Sequence, residues 1–332
     1  MNGWMAQPIY VGIDLGGTSI KTGVVDAFGR LVHVHERRTE ADRGVEHVIA
    51  GMMEAARQAV RECGYDWNRV AGIGAGIPGF IDMRAGLVRL SPNLRWKDVP
   101  VRRLLEEAAG LPVQILNDAN AAALGEALSG AGAGCDPVVC FTIGTGIGSG
   151  IIIGGRVFEG AHGMAAEAGH MRVVPDPEAV KCGCGQIGCL ETVSSATGIV
   201  RMAREAVEHA RMDNRGGRTK LADLPRPLTA RDVFEAARDG DEVAGAIVDR
   251  AALYLGRALA AVAVLINPQR MIIGGGVSAA GEMLIDLIRG HFAREAPGLY
   301  RESVDIVAAA LGNHAGVVGA AGIFRMGGGP IG

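Results

Sequence analysis

Short apolar runs broken by glycine alternate along this chain with longer stretches whose apolar residues recur every three or four positions. The runs at 9–14 and 20–26 predict two β-strands around Gly16-Gly17-Thr18. Those at 138–143 and 150–157 predict a second pair around Gly144-Thr145-Gly146-Ile147-Gly148. The pairs lie about 128 residues apart, a weak internal repeat that predicts two related domains, each opening on a β-hairpin. Helical periodicity covers 44–63, 101–109, 119–128, 199–210, 242–266 and 316–324, with Thr229 as the N-cap of a further helix running to 238. Buried strands are expected at 70–75, 113–116 and 270–273. Strands alternating with helices imply an α/β fold. No Pro/Ser-rich linker divides the chain, so the domains are expected to pack over a cleft. The smaller would comprise 1–117 and 315–332, closed by the C-terminal helix, and the larger 118–314. The stretch 211–220 reads as a polar, basic, solvated loop.

Composition narrows the function classes. The 332 residues carry 33 Lys+Arg against 36 Asp+Glu, a net charge of −3, so no broad basic face for nucleic acid is expected. The N-terminus lacks a basic-then-apolar signal pattern. The apolar stretch 251–266 contains Arg257 and is too short to span a bilayer. A cytoplasmic protein with no membrane partner is the expectation. Thiols stay reduced there, so clustered cysteines favour a metal over a disulfide. Cys63, Cys135 and Cys140 are scattered and are expected to be buried free thiols.

The cluster is Cys182-Gly-Cys184-Gly-Gln-Ile-Gly-Cys189, with His170 twelve residues ahead of it. Three sulfurs and an imidazole make a closed tetrahedral set suited to structural zinc, with no open position for catalysis. Glu167 and Glu191 bracket the same segment. Asp14-Leu-Gly16-Gly17-Thr18-Ser19-Ile-Lys21 follows a strand. Its bare backbone amides and hydroxyls suit phosphate oxygens, Asp14 suits Mg²⁺, and Lys21 would offset phosphate charge. A plain type I′ hairpin turn would use Gly-Gly as well. Gly144-Thr145-Gly146 repeats the arrangement, and two such loops at matching places favour one shared polyphosphate. Gly74-Ala-Gly76-Ile-Pro-Gly79 matches a dinucleotide fingerprint, but Pro78 and the lack of a suitably placed acid argue against that use. Gly274-Gly275-Gly276-Val277-Ser278 joins a strand to a helix and leaves a bare backbone for a ligand. Asn117-Asp118 opens a helix after a strand. Asp118 is either an N-cap or, ionised in a crevice beside the phosphate loops, a base for a hydroxyl nucleophile. Ser91-Pro92-Asn93-Leu94 forms a turn whose amide suits a sugar hydroxyl, as do Glu167, His170 and Glu191.

Together these segments resemble the ROK family of sugar kinases and repressors, and within it the bacterial glucokinases, from Tyr10 to about Phe324. DLGGTSIK (14–21) and GTGIGSG (144–150) look like its phosphate motifs. SPNL (91–94) and NDANAA (117–122) look like its sugar and catalytic segments, EAGH (167–170) with CGCGQIGCLE (182–191) like its signature and zinc motif, and GGGVS (274–278) like its adenosine-side segment. The resemblance implies a duplicated actin/hexokinase-like (ribonuclease H-like) fold with ATP between two α/β domains. It also implies ATP-dependent conversion of glucose to glucose 6-phosphate. Asp118 would be the base, and Asn93, Asn117, Asp118, Glu167, His170 and Glu191 would bind the sugar. The nucleotide and Mg²⁺ would lie on Asp14, Gly16, Gly17, Thr18, Ser19, Lys21, Gly144, Thr145, Gly146, Gly275 and Gly276. Zinc would be held by His170, Cys182, Cys184 and Cys189, and the chain would form a homo-oligomer, dimer or tetramer. Ala166 and Ala168 depart from the family, which often has Gly and a larger aliphatic there. A first strand from about Ile9 leaves no room for the N-terminal helix-turn-helix of family repressors. The alternatives are a kinase for N-acetylmannosamine, fructose or allose, or a non-catalytic sugar sensor. A zinc hydrolase would need the open coordination position that this ligand set lacks.

Overall fold

The structure is a computed structural model that describes residues 7–212, 219–224, 227–276 and 281–325. Its first part runs β1 (Ile9–Leu15), β2 (Ser19–Asp26), β3 (Leu31–Arg38), α1 (Val45–Glu62), β4 (Val70–Ile77), β5 (Phe80–Asp82), β6 (Leu87–Ser91), β7 (Trp96–Val99), α2 (Val101–Ala109), β8 (Val113–Asn117) and α3 (Asp118–Ser129). The chain continues through β9 (Val138–Ile143), β10 (Ile147–Ile153), β11 (Arg156–Val157), α4 (Glu191–Ser194), α5 (Ala196–Met212), α6 (Ala230–Arg238) and α7 (Glu242–Ile266). It closes with β12 (Arg270–Gly274), α8 (Glu282–Glu295), α9 (Gly298–Ser303), β13 (Asp305–Ala308) and α10 (Ala315–Gly322).

Two five-stranded sheets share one strand pattern, β3-β2-β1-β4-β8 and β11-β10-β9-β12-β13. In the first, β1 pairs β2 antiparallel and β4 parallel, and β4 pairs β8 parallel. The repeat seen in the sequence is therefore a repeated topology. Chain contacts divide the molecule into two units. One holds residues up to Cys140, Gly150–Ala166 and those from Ala310 on; the other holds Phe141–Ser149 and Glu167–Ala309.

In the first unit α1 packs on the sheet through Val48, Ile49, Met52, Met53, Ala56 and Val60, an apolar stripe at helical spacing. The residues of α10 are all buried. It reaches β1 and α3 by shedding side chains: a Cβ on Gly12 would lie 1.8 Å from the Val317 carbonyl oxygen, and one on Gly319 would lie 1.8 Å from that of Ala121. No larger residue fits either place. The Gly74–Gly79 fingerprint is explained here too. Gly74 and Gly76 lie inside β4, no helix follows, and a Cβ on Gly74 would strike the Ala320 oxygen at 1.8 Å.

In the second unit, α7 spans the expected 242–266 and is capped by Asp241, which accepts from the Ala244 amide. The expected cap at Thr229 is a full capping box with Asp232. Other expectations need correction. The predicted strand 150–157 is two strands, because Gly154 and Gly155 both take positive φ (60° and 70°) and turn the chain between Ile153 and Arg156. Gly16 and Gly17 are not among the positive-φ glycines, so the first loop is not a type I′ turn. The edge strands β3 and β13, the β5-β6-β7 sheet and α9 carried no clear pattern. Cys140 is buried as expected, but Cys63 and Cys135 are only half-buried. Of the stretch 211–220, residues 213–218 lie outside the described residues, as do Val277 and Ser278. No described helix is long and apolar enough to cross a membrane.

Candidate functional site

Register brings the first set of residues together. Asp14 of β1 pairs with Gly76 of β4, and Gly76 pairs with Leu116 of β8, so the C-terminal ends of three parallel strands lie level. Asn117 and Asp118 continue from the last of these. C-terminal strand ends are where α/β sheets bind ligands. The first glycine loop leaves β1 here. It is closed by the Gly16 amide on the Ser19 oxygen (2.8 Å) and held by buried Thr39, whose hydroxyl donates to the Gly16 oxygen at 2.6 Å. Thr39 lies on a stretch with no motif, and sequence reasoning passed over it. Asn93 is exposed beside this loop: a Cβ on Gly17 would touch its Cβ at 3.5 Å. Lys21 pairs with Asp14 across the β1–β2 ladder.

Two half-buried carboxyls dominate this set electrostatically. Burial raises Asp14, the Asp118 charge raises it further and Lys21 opposes, leaving it pushed up to about 6. Burial also raises Asp118, against the Ala119 amide (2.9 Å to Oδ1) and the Asn117 side chain, which favour the ionised form. Like charges held together in a buried place are what a divalent cation relieves, so the pair suits Mg²⁺, which takes one or two carboxylates and keeps waters. The N-cap of α3 is Asn117, not Asp118. Asn117 accepts from the amides of Ala119 (2.9 Å) and Asn120 (3.2 Å) and donates to the Gly79 oxygen at 3.1 Å. Asp118 is thus spared the capping role and can meet a substrate.

The second set is the Cys/His cluster, a candidate metal site, with its surroundings. The ligand atoms of His170, Cys182, Cys184 and Cys189 all lie within 4.8 Å of one another. The Cys184 and Cys189 sulfurs are 3.7 Å apart, and Cys182 Sγ is 3.7 Å from His170 Nδ1. In a tetrahedron with Zn–S bonds of about 2.3 Å, neighbouring sulfurs stand about 3.8 Å apart. The cluster therefore fits a zinc ion. Burial and Glu191 hold the Cys182 thiol high, whereas the Gln186 amide lowers Cys184; a bound cation would deprotonate both. With Nδ1 facing the sulfurs, the other ring nitrogen of His170 is left for another partner. Two short bridges, Arg172–Cys189 and Lys181–Ile187, shape the loop.

Glu191 opens α4. Its Oε1 lies 2.9 Å from Cys182 Sγ and 3.6 Å from His170 Nδ1, while its Oε2 accepts from the Ile147 amide at 3.4 Å. The second glycine loop is tied down further by the Ala196 amide on the Gly144 oxygen (2.9 Å) and the Thr197 hydroxyl on the Thr145 oxygen (2.8 Å). Gly275 has φ 87°, and a Cβ there would come within 2.5 Å of Ile143 backbone atoms, so it closes β12 tightly against β9. Gly276 faces open space. Glu167 is exposed and heads the short turn that carries His170. Ala166, before it, takes φ 66°, a left-handed conformation that costs an L-residue about 1–2 kcal/mol.

The ROK family pattern matches residues 10–326. A glucokinase of Halalkalibacterium halodurans is 41% identical over 319 residues, covering 95% of this chain and 94% of that relative. Among solved structures, a ROK family glucokinase from Streptomyces griseus in complex with glucose and AMPPNP is 39% identical. It has a TM-score of 0.78 and covers 96% of this chain and 100% of its own. A ROK family transcriptional regulator, a homologue of the E. coli MLC protein, is 28% identical with a TM-score of 0.84, covering 97% of this chain and 79% of its own.

Proposed function

The chain belongs to the ROK family, and we propose that it is an ATP-dependent glucokinase that transfers the γ-phosphoryl group to the 6-hydroxyl of glucose. Its fold is the duplicated actin/hexokinase-like α/β fold of that family's kinases. The observation that carries the reading is Asp118, a half-buried carboxyl with a raised proton affinity at the N-terminus of α3 beside Asp14, spared from capping by Asn117.

Asp118 accepts the proton of the sugar hydroxyl as its oxygen attacks the γ-phosphorus. The bond to the ADP oxygen breaks, and ADP leaves with that electron pair. Burial raises the affinity of Asp118 for the proton, and the Ala119 amide with the helix N-terminus keeps the ionised form accessible. Asn93 offers its amide to sugar hydroxyls, as do Glu167, Glu191 and the free ring nitrogen of His170. Asn117 aligns Asp118 and contributes to the sugar site from the same turn. The amides of Gly16, Gly17, Thr18 and Ser19 and those of Gly144, Thr145 and Gly146 receive phosphate oxygens, with Lys21 offsetting charge and Gly275 and Gly276 lining the adenosine side. Asp14 would hold Mg²⁺, which would supply charge neutralisation to the phosphates. His170, Cys182, Cys184 and Cys189 would hold zinc, which would order the loop that carries these sugar contacts. Reduced clustered thiols suit a cytoplasmic enzyme.

A coupled ADP-release assay across glucose, N-acetylmannosamine, fructose and allose, with ATP and polyphosphate as donors, tests the reading. The expected outcome is glucose-dependent ADP release from ATP. Faster turnover of another hexose would replace the acceptor. Hexose-independent release would indicate a plain ATPase, and no release with any sugar would favour a sensor.

A further inference from the structure

The two oxygens of Glu191 reach two different devices, and that geometry has a mechanical consequence. Oε1 stands at the rim of the metal cluster, 2.9 Å from Cys182 Sγ and 3.6 Å from His170 Nδ1. Oε2 accepts from the Ile147 amide at 3.4 Å, where the second glycine loop enters β10. A carboxylate is rigid and planar, so whatever sets the position of one oxygen sets the other. Without a metal the Cys182 thiol donates to Oε1, whereas three thiolates and a neutral imidazole around a divalent cation would carry a net charge of −1, remove that donor and push the carboxylate toward the Ile147 amide. Gly146 tightens the link: a Cβ there would lie 2.7 Å from Glu191 Oε2, so only glycine lets the carboxylate come so close to the loop. The same short helix start that carries Glu191 leads into the Ala196 and Thr197 tethers on Gly144 and Thr145.

We propose that Glu191 couples the metal cluster to the second glycine loop, so that metal occupancy sets nucleotide affinity as well as sugar recognition. The proposal rests on the reading of residues 144–146 as a phosphate loop. Coupling between binding sites is reciprocal: if the metal tightens the nucleotide by some factor, the nucleotide must tighten the metal by the same factor. Glu191 is here a positioning residue toward the nucleotide, acting through the loop.

The experiment uses the full chain without sugar. Calorimetric titration with Mg-AMPPNP is run on zinc-replete protein and on chelator-treated protein checked for folding by near-UV circular dichroism. Zinc release to a chromogenic chelator is then timed with and without Mg-AMPPNP. The expected result is a nucleotide dissociation constant about tenfold weaker without zinc, within the usual range for allosteric coupling and for partners of metal ligands, together with slower zinc release when the nucleotide is bound. The second arm is Gly146→Ala, which touches no metal ligand and needs no metal removal. Its Cβ must displace the Glu191 carboxylate, so zinc release should quicken several-fold. Equal nucleotide affinity with and without zinc overturns the proposal, and so does unchanged zinc release in Gly146→Ala. Should metal removal unfold the chain, the Gly146→Ala arm decides alone. If zinc-replete protein binds no nucleotide, the phosphate-loop reading fails first, and the proposal falls with it.

Discussion

Asp14→Asn should make the protein more stable at neutral pH while impairing its activity. Asn has nearly the same volume, so the substitution removes a charge and little packing. In the native state, burial and the neighbouring Asp118 lift Asp14 from its ordinary 3.8 to about 6. Below pH 3.8 the carboxyl is protonated whether the chain is folded or not. Between 3.8 and about 6 the unfolded chain has released its proton and the native one has not, so stability falls as pH rises. Above 6 the loss is complete. A rise of about two pH units corresponds to about 3 kcal/mol at 1.36 kcal/mol per unit. Unfolding entropy of about 2.1 cal/mol/K per residue, taken over the whole chain, converts this into about 4 °C in Tm. Thermal melts in magnesium-free buffer from pH 4 to 8 provide the assay. Variant and parent should melt together near pH 4 and diverge through pH 6, with the variant higher by about 4 °C at pH 8. Adding Mg²⁺ should raise the parent alone and narrow the gap. A variant less stable than the parent at pH 8, or a gap that does not change with pH, would refute the reasoning.

Three further outcomes are expected. Asp118→Asn should lower kcat by about 10²–10⁴-fold, the usual share of a general base, with glucose affinity nearly intact by calorimetry; near-normal turnover would remove Asp118 from the chemistry. Cys184→Ser should lose bound zinc by elemental analysis and weaken glucose binding, and a metal-free variant with normal glucose affinity would sever the two. Gly319→Ala should cost about 3 kcal/mol or more in melts, because its Cβ would lie 1.8 Å from the Ala121 oxygen and 2.5 Å from the Gly125 amide nitrogen; a loss under about 1 kcal/mol would mean that α3 and α10 part easily.

Much of the site was legible because its chemistry is local. The spacing of Cys182, Cys184 and Cys189 is short enough that the loop must bring them together, and the structure places His170, the fourth ligand expected from the sequence, at tetrahedral spacing from them. The long helix α7 was legible to the residue because its periodicity repeats over many turns, whereas α1 and α5 were placed within one to three residues at their ends. Edge strands were not. The burial of β3 alternates only weakly and β13 has four residues, too few to separate from a loop by pattern.

The sequence by itself determined which groups are present and which are neighbours along the chain: the two glycine loops, the candidate metal ligands, Asp118 behind a strand, and the repeat that the matched sheets express. Only tertiary structure decided what those groups do to one another. Asp14 and Asp118 lie about a hundred residues apart in sequence, yet share a buried environment that raises both, because parallel strands bring their ends level. Asn117 takes the cap in place of Asp118. Glu191 joins a metal cluster to a loop more than forty residues upstream. Charge, burial and close approach act through distance in space, and spacing along the chain reports that distance only within a turn or a loop.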